Sequence, residues 1–156
     1  MIKFEIPGIK TINARFLVLD YNGTLAKDGI ILPYVKEKLN QLSKVLSIYI
    51  ITADTFGNVK SYIEDIKCEC VIISGESQGK QKLEFVRKLG SSEVIAIGNG
   101  ANDALMIKDA VLGIAIIQQE GASVNSILNA DIVCTNILDA LDLLLNPLRV
   151  KASLRD

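Results

Sequence analysis

A chain of 156 residues with a formal net charge of −1 and 49% apolar residues is long enough to bury a sizeable core without disulfides or metals as staples. That near-neutral balance gives no electrostatic case for nucleic-acid or membrane binding. Histidine is absent, which removes Ser-His and Cys-His mechanisms and most zinc chemistry. Ile2–Ile6 and Ile9–Asn13, on either side of Pro7-Gly8, read as an N-terminal β-hairpin. From there short apolar runs alternate with helical patterns. The strands expected are Phe16–Asp20, Ser47–Thr52, Cys70–Ser74, Val94–Ile97, Gly113–Ile116 and Ile132–Cys134, mostly continuous Val/Ile/Leu runs of the kind buried on both faces. The helices expected between them begin with one that takes Pro33 in its first turn and runs to about Val45. Asn58–Ile66, Lys80–Leu89, Asn102–Ala110, Ala122–Leu128 and Ile137–Leu145 follow, with Gly90 as a C-cap and Pro147 ending the last.

This order predicts an α/β fold, a Rossmann-like three-layer arrangement with a central parallel sheet and helices on both faces. One domain is expected over 1–156, with the hairpin at about 1–13 and the core at about 14–146. Cys68, Cys70 and Cys134 lack the spacing of a redox or zinc pair, so reduced thiols and a cytoplasmic setting are expected. Met1-Ile-Lys-Phe-Glu-Ile does not read as a signal peptide, and no stretch approaches the roughly 20 apolar residues of a membrane span. Arg149–Arg155 reads as a basic, solubilising tail.

In an open parallel sheet ligands bind at the carboxyl ends of the strands. Those ends carry Asp20-Tyr-Asn22-Gly23-Thr24, Thr52-Ala53-Asp54 and Gly98-Asn99-Gly100-Ala-Asn102-Asp103, while Lys80 and Lys82 open the helix after the third strand. Each has a structural explanation when taken alone: Asp-x-Asn-Gly is an ordinary turn, Gly98-x-Gly100 lacks a third glycine, Thr52 can cap a helix and the lysines can be solvated. Their convergence on one edge suits an anionic phosphoryl group, which needs a nucleophilic carboxylate, a hard cation, an ammonium and a hydroxyl.

Together the four elements resemble the haloacid dehalogenase superfamily, specifically its soluble P-type-ATPase-like members, over about Phe16 to Leu145. The resemblance implies that Asp20 forms an aspartyl phosphate and that Thr52 and Lys82, rather than Lys80, stabilise the transferring group. It places Asn22, Gly23, Thr24, Ala53 and Asn102 around the phosphate, Asn102 helping to orient Lys82 or the phosphoryl oxygens. Mg²⁺ would be held by Asp20, the main-chain carbonyl of Asn22, Asn99 and, directly or through a second shell, Asp103. Two positions depart from the family pattern. Asn22 stands where phosphatases carry an acid/base Asp, and Asn99 stands where a metal-binding Asp is usual. An amide can neither protonate a leaving alkoxide nor activate water.

Neither the Asp20–Thr52 interval, which holds a short flap at Leu25–Leu32 and one helix, nor the Asp54–Lys80 interval, which holds a helix and a strand, has room for a cap domain. An open site implies a large or protein-attached phosphorylated substrate, or shielding by a homo-oligomer. The function expected is a Mg²⁺-dependent phosphohydrolase. The alternative is a phosphate-sensing or partner-binding module with the pocket retained. A dehalogenase would also start from an Asp nucleophile, but the Asn-Gly-x-Asn-Asp loop looks ATPase-like.

Overall fold

The computed structural model describes residues 1–54 and 57–155 of the chain. β1 (Ile2–Ile6) and β2 (Lys10–Ala14) form the expected antiparallel hairpin, with Gly8 at φ +74 in its turn. A six-stranded parallel sheet follows, built from β3 (Phe16–Leu19), β6 (Ser47–Thr52), β7 (Glu69–Ile72), β8 (Val94–Gly98), β9 (Leu112–Ile116) and β10 (Ile132–Cys134). Its order is β10-β9-β8-β3-β6-β7. The chain winds outward from β3 through β6 to β7, then returns to β8 on the other side of β3. That reversal is a topological switch point, where the flanking connections diverge and leave a crevice at the strands' carboxyl ends.

The period of two in the strands explains why the apolar runs are continuous. Leu17, Leu19, Ile48, Ile50, Ile95, Ile97 and Ile114 face one core. It is closed by α1 (Val35–Leu42), α2 (Val59–Ile63), α6 (Ile137–Leu145) and the hairpin. Val18, Ile51, Val94 and Ala96 face a second core, closed by Val86 of α3 (Gln78–Leu89) and by Met106 and Ile107 of α4 (Ala104–Asp109). Each fully buried aliphatic side chain contributes about 1.5–3 kcal/mol, so a strand apolar on both faces is held from both sides. α5 (Val124–Asn129) packs beside α4.

β9 and α4 approach so closely that Gly113 has a steric role. A Cβ built there would lie 2.2 Å from the Ile107 carbonyl oxygen and 2.8 Å from its Cγ2. Gly113→Ala should therefore cost about 1–3 kcal/mol through overpacking. The expected observation is a lower urea midpoint with an unchanged m-value.

Several boundaries differ from expectation. Pro33 lies outside α1, because Tyr34 takes the left-handed conformation at φ +65 and the helix starts only at Val35. Residues 43–45, expected in that helix, form a turn, and α2 ends at Ile63 rather than Ile66. Pro147 ends α6 but also opens a further helix, α7 (Pro147–Leu154), so the basic segment is not a free tail. Lacking an N–H, proline closes one helix and suits the first turn of the next. Val150, fully buried, anchors α7, which packs on β1.

The flap is a small hairpin, β4 (Ala26–Lys27) and β5 (Ile30–Ile31), turned by Asp28 at φ 51 and Gly29 at φ 78. Two successive positive φ values match the twist of a tight hairpin. Tyr21 is fully buried and its hydroxyl donates to the Gly29 carbonyl at 3.1 Å, tying the flap tip back to the end of β3. Among the described residues no separate cap domain interrupts the sheet, and no helix is long and apolar enough to cross a membrane.

Candidate active site

Asp20 and Asn99 stand on either side of the switch point, at the ends of adjacent strands, and the Asp20 N–H donates to the Ile97 carbonyl at 3.0 Å. Both side chains are almost wholly buried, as are Thr24, Thr52, Lys82 and Asp103. Lys82 reaches in from the first half of α3. Its Nζ donates to Asp20 Oδ1 and to Asp103 Oδ1, each at 2.6 Å. Lys80 is exposed on the other side of the same helix. Thr24 Oγ1 lies 3.3 Å from Asp20 Oδ2 and 3.2 Å from Asn99 Oδ1.

One ammonium therefore serves two carboxylates, leaving one excess negative charge in a buried cluster. Burial, and then the nearby Asp103 carboxylate, push Asp20 up to about 7 despite the opposing pull of Lys82. Burial works against the Lys82 charge too, but Asp20 and Asp103 outweigh it and hold the ammonium above its ordinary range. The two shifts share one origin. Lysine stays charged, and the carboxylate it does not fully neutralise calls for a proton or a cation.

The donor set fits a hard divalent cation. Asp20 Oδ2 and Asn99 Oδ1 are both oxygens, and both approach the same hydroxyl. Mg²⁺ takes one or two carboxylates with waters and substrate phosphate, and needs no all-protein cage. This agrees with the finding that, among the described residues, no group of three or more Cys, Asp or Glu side chains gathers as a metal cluster. Asp103 has both oxygens engaged: Oδ1 by Lys82, and Oδ2 by the N–H groups of Asn99 at 3.0 Å and Gly100 at 2.8 Å. It stands behind Asn99 and braces it.

The remaining candidates sit around this cluster without bonding to it. Thr52 Oγ1 accepts the Asp54 N–H at 3.1 Å, and Ala53 follows it at the end of β6. Asn22 Oδ1 is buried with no hydrogen-bond partner. Gly23 has φ +78, and a Cβ there would lie 2.3 Å from Asn99 Nδ2, so only glycine lets the loop after β3 close over Asn99. Asn102 Nδ2 donates to Gln78 Oε1 at 3.2 Å, and Gly79 brings the first turn of α3 directly against the Asn102 backbone.

The loop between β9 and α5 was not legible as part of the site. Asn99 Nδ2 donates to the Gly121 carbonyl at 2.9 Å, the Ser123 N–H donates to the Asn99 carbonyl at 2.8 Å, and buried Ser126 Oγ donates to the Gly100 carbonyl. The only hint in the sequence is that this polar loop follows a strand at the same sheet edge. Its contacts also give Asn99 a structural reason: a carboxylate there would face the Gly121 carbonyl. A cavity of about 480 Å³ lined by Arg15, Lys44, Lys67 and Glu69 lies at the opposite, amino-terminal edge, where none of the site residues reaches.

No protein-family model matches the chain. An uncharacterized protein of Methanocaldococcus jannaschii is 45% identical over 91 residues, covering 54% of this chain and 98% of that one. The soluble P-type ATPase-like phosphatase of the same organism is 27% identical over 123 residues, or 77% of this chain but only 45% of its relative. Among solved structures, the 3-deoxy-D-manno-octulosonate 8-phosphate phosphatase of Moraxella catarrhalis, in complex with magnesium, phosphate and KDO, matches with a TM-score of 0.71. That match covers 86% of this chain and 87% of the other at 16% identity. The chain has the hydrolase-type fold of the haloacid dehalogenase superfamily, with no separate cap domain among the described residues.

Proposed function

We propose that the protein is a Mg²⁺-dependent phosphohydrolase that works through an aspartyl phosphate on Asp20. The observation that carries this reading is the Asp20–Lys82–Asp103 cluster, a buried carboxylate pinned at the switch point with one negative charge in excess. The magnesium and phosphate bound by the octulosonate phosphatase, and the phosphatase name of the Methanocaldococcus relative, support it.

An Asp20 oxygen attacks phosphorus and forms an Asp–O–P bond while the ester P–O bond breaks. The leaving oxygen departs as an anion and takes its proton from solvent. Lys82 and the Thr52 hydroxyl, whose oxygen accepts the Asp54 N–H, offset the charge of the phosphoryl oxygens. Water then attacks phosphorus, the bond to Asp20 breaks, and inorganic phosphate leaves with the carboxylate restored. When bound by Asp20, Asn99 and the Asn22 carbonyl, Mg²⁺ supplies charge neutralisation for the two anions.

Asn22 cannot supply a proton, so aryl and acyl phosphates are expected to react faster than alkyl esters. The absence of a separate cap domain among the described residues favours a large or protein-attached substrate. Acid quenching during turnover of p-nitrophenyl phosphate should trap covalent phosphate, and peptide mapping should place it on Asp20 only when Mg²⁺ is present. Retention of phosphate without a covalent adduct would instead support the phosphate-sensing reading, which the two amides Asn22 and Asn99 favour.

A further inference from the structure

We infer that Gln118 is a positioning residue that staples the loop after β3 to the first turn of α6. This inference rests on the proposed phosphohydrolase for its kinetic half only. Gln118 lies two residues beyond β9 and is half-buried. Its Nε2 donates to the carbonyls of Thr24 at 2.9 Å and Gly23 at 3.4 Å, while its Oε1 accepts the Ile137 N–H at 2.8 Å. One carboxamide thus spans three elements: the loop after β3, the end of β9 and the first turn of α6.

The need for it follows from how the loop is built. The Tyr21 carbonyl accepts the N–H groups of Thr24, Leu25 and Ala26, at 3.2, 2.8 and 3.0 Å. The turn therefore winds around a single acceptor, leaving Asn22, Gly23 and Thr24 at its outer rim. The Thr24 side chain is the one that touches both Asp20 Oδ2 and Asn99 Oδ1. Whatever fixes the Thr24 backbone consequently fixes that hydroxyl, and with it the separation of the two oxygens across the switch point. Gln118 is the side chain that holds the Gly23 and Thr24 carbonyls from outside the loop. At its other end it satisfies one of the first-turn N–H groups of α6, which have no partner within the helix.

Glutamine suits the task because its side chain carries a donor and an acceptor at fixed separation. Glutamate keeps the acceptor for Ile137 but turns an oxygen toward two carbonyls, and leucine keeps neither. Amide hydrogen exchange resolves the two ends, and turnover of p-nitrophenyl phosphate with Mg²⁺ reads the consequence. In Gln118→Glu the amides of Gly23–Ala26 should exchange at least tenfold faster while Ile137 stays protected. In Gln118→Leu both should lose protection. The β1–β2 hairpin should be unchanged in either variant, and kcat should fall at least tenfold with KM within about threefold.

Unchanged protection at Gly23–Ala26 overturns the staple. Lost protection with an unchanged kcat overturns the positioning role. If wild type shows no turnover at all, the phosphohydrolase reading fails while the exchange pattern still decides the staple. Should Gln118→Leu not fold, Gln118→Glu alone carries both readouts.

Discussion

Asp20→Asn should abolish turnover and at the same time raise the melting temperature of the metal-free protein at pH 8. The loss of activity follows from removal of the nucleophile, since an amide forms no acyl phosphate. The gain in stability follows from the shift of Asp20 to about 7 from an ordinary value of 3.8. Between those two pH values the folded protein holds a proton that the unfolded chain has lost. Stability from this group is therefore fully present below pH 3.8 and is lost as pH rises through about 7. At pH 8 the wild type must carry two buried carboxylates against one ammonium, and the amide removes that excess. Lys82 keeps a full partner in Asp103 at 2.6 Å, so the substitution leaves a balanced ion pair and no orphaned charge.

Thermal scans at pH 5 and pH 8, with and without Mg²⁺, give the check. The variant's advantage should be larger at pH 8 than at pH 5, and Mg²⁺ should shrink it by stabilising only the wild type. An Asp20→Asn protein less stable than wild type at pH 8 without metal would contradict the charge balance assigned to the site. Such a trade of stability for function is common where catalysis needs an uncompensated buried group.

The strands were legible because parallel strands buried on both faces leave an unmistakable run of aliphatic residues. Ser47–Thr52 and Ile132–Cys134 are placed as expected to the residue, and the others shift by one or two. Helix ends were less legible, because they depend on single backbone conformations. Nothing in the residue type of Tyr34 announces φ +65, and it is that angle which delays α1 past Pro33. The second role of Pro147 was hidden for a related reason: a proline that stops one helix is chemically suited to start another, and only the burial of Val150 decides that it does.

Within the candidate site, Asp20, Thr24, Lys82, Asn99 and Asp103 converge because each lies at the carboxyl end of a strand or one turn into a helix that follows one. The partners of Asn102 and Gln118 were not legible because they are set by long-range packing. Gln78 and Asn102 are apposed only because Gly79 lets α3 approach, and Gln118, after β9, meets Thr24, after β3, across β8, ninety-four positions away in the chain. No local pattern encodes such contacts.

Asn22→Asp should convert a slow site into a faster one, with the gain concentrated on poor leaving groups. General acid–base catalysis typically contributes about 10²–10⁴-fold, and a carboxyl two residues after the nucleophile would restore it. The environment favours the protonated form that the first half-reaction requires. Asn22 Oδ1 is buried without a partner, and Asp20 adjoins it, so burial and a like charge would both raise the affinity of a carboxyl there for its proton. Once the leaving group has taken that proton, the same carboxylate can accept one from the attacking water, so release of phosphate from Asp20 should accelerate as well. p-Nitrophenolate leaves without protonation, whereas an alkoxide does not. The ratio of kcat/KM for an alkyl phosphate to that for p-nitrophenyl phosphate should therefore rise by about 10²-fold or more. Acid-quenched covalent phosphate should fall in parallel. An equal gain on both substrates would mean that the substitution merely improves binding. No gain on either would mean that the position does not face the bond being broken.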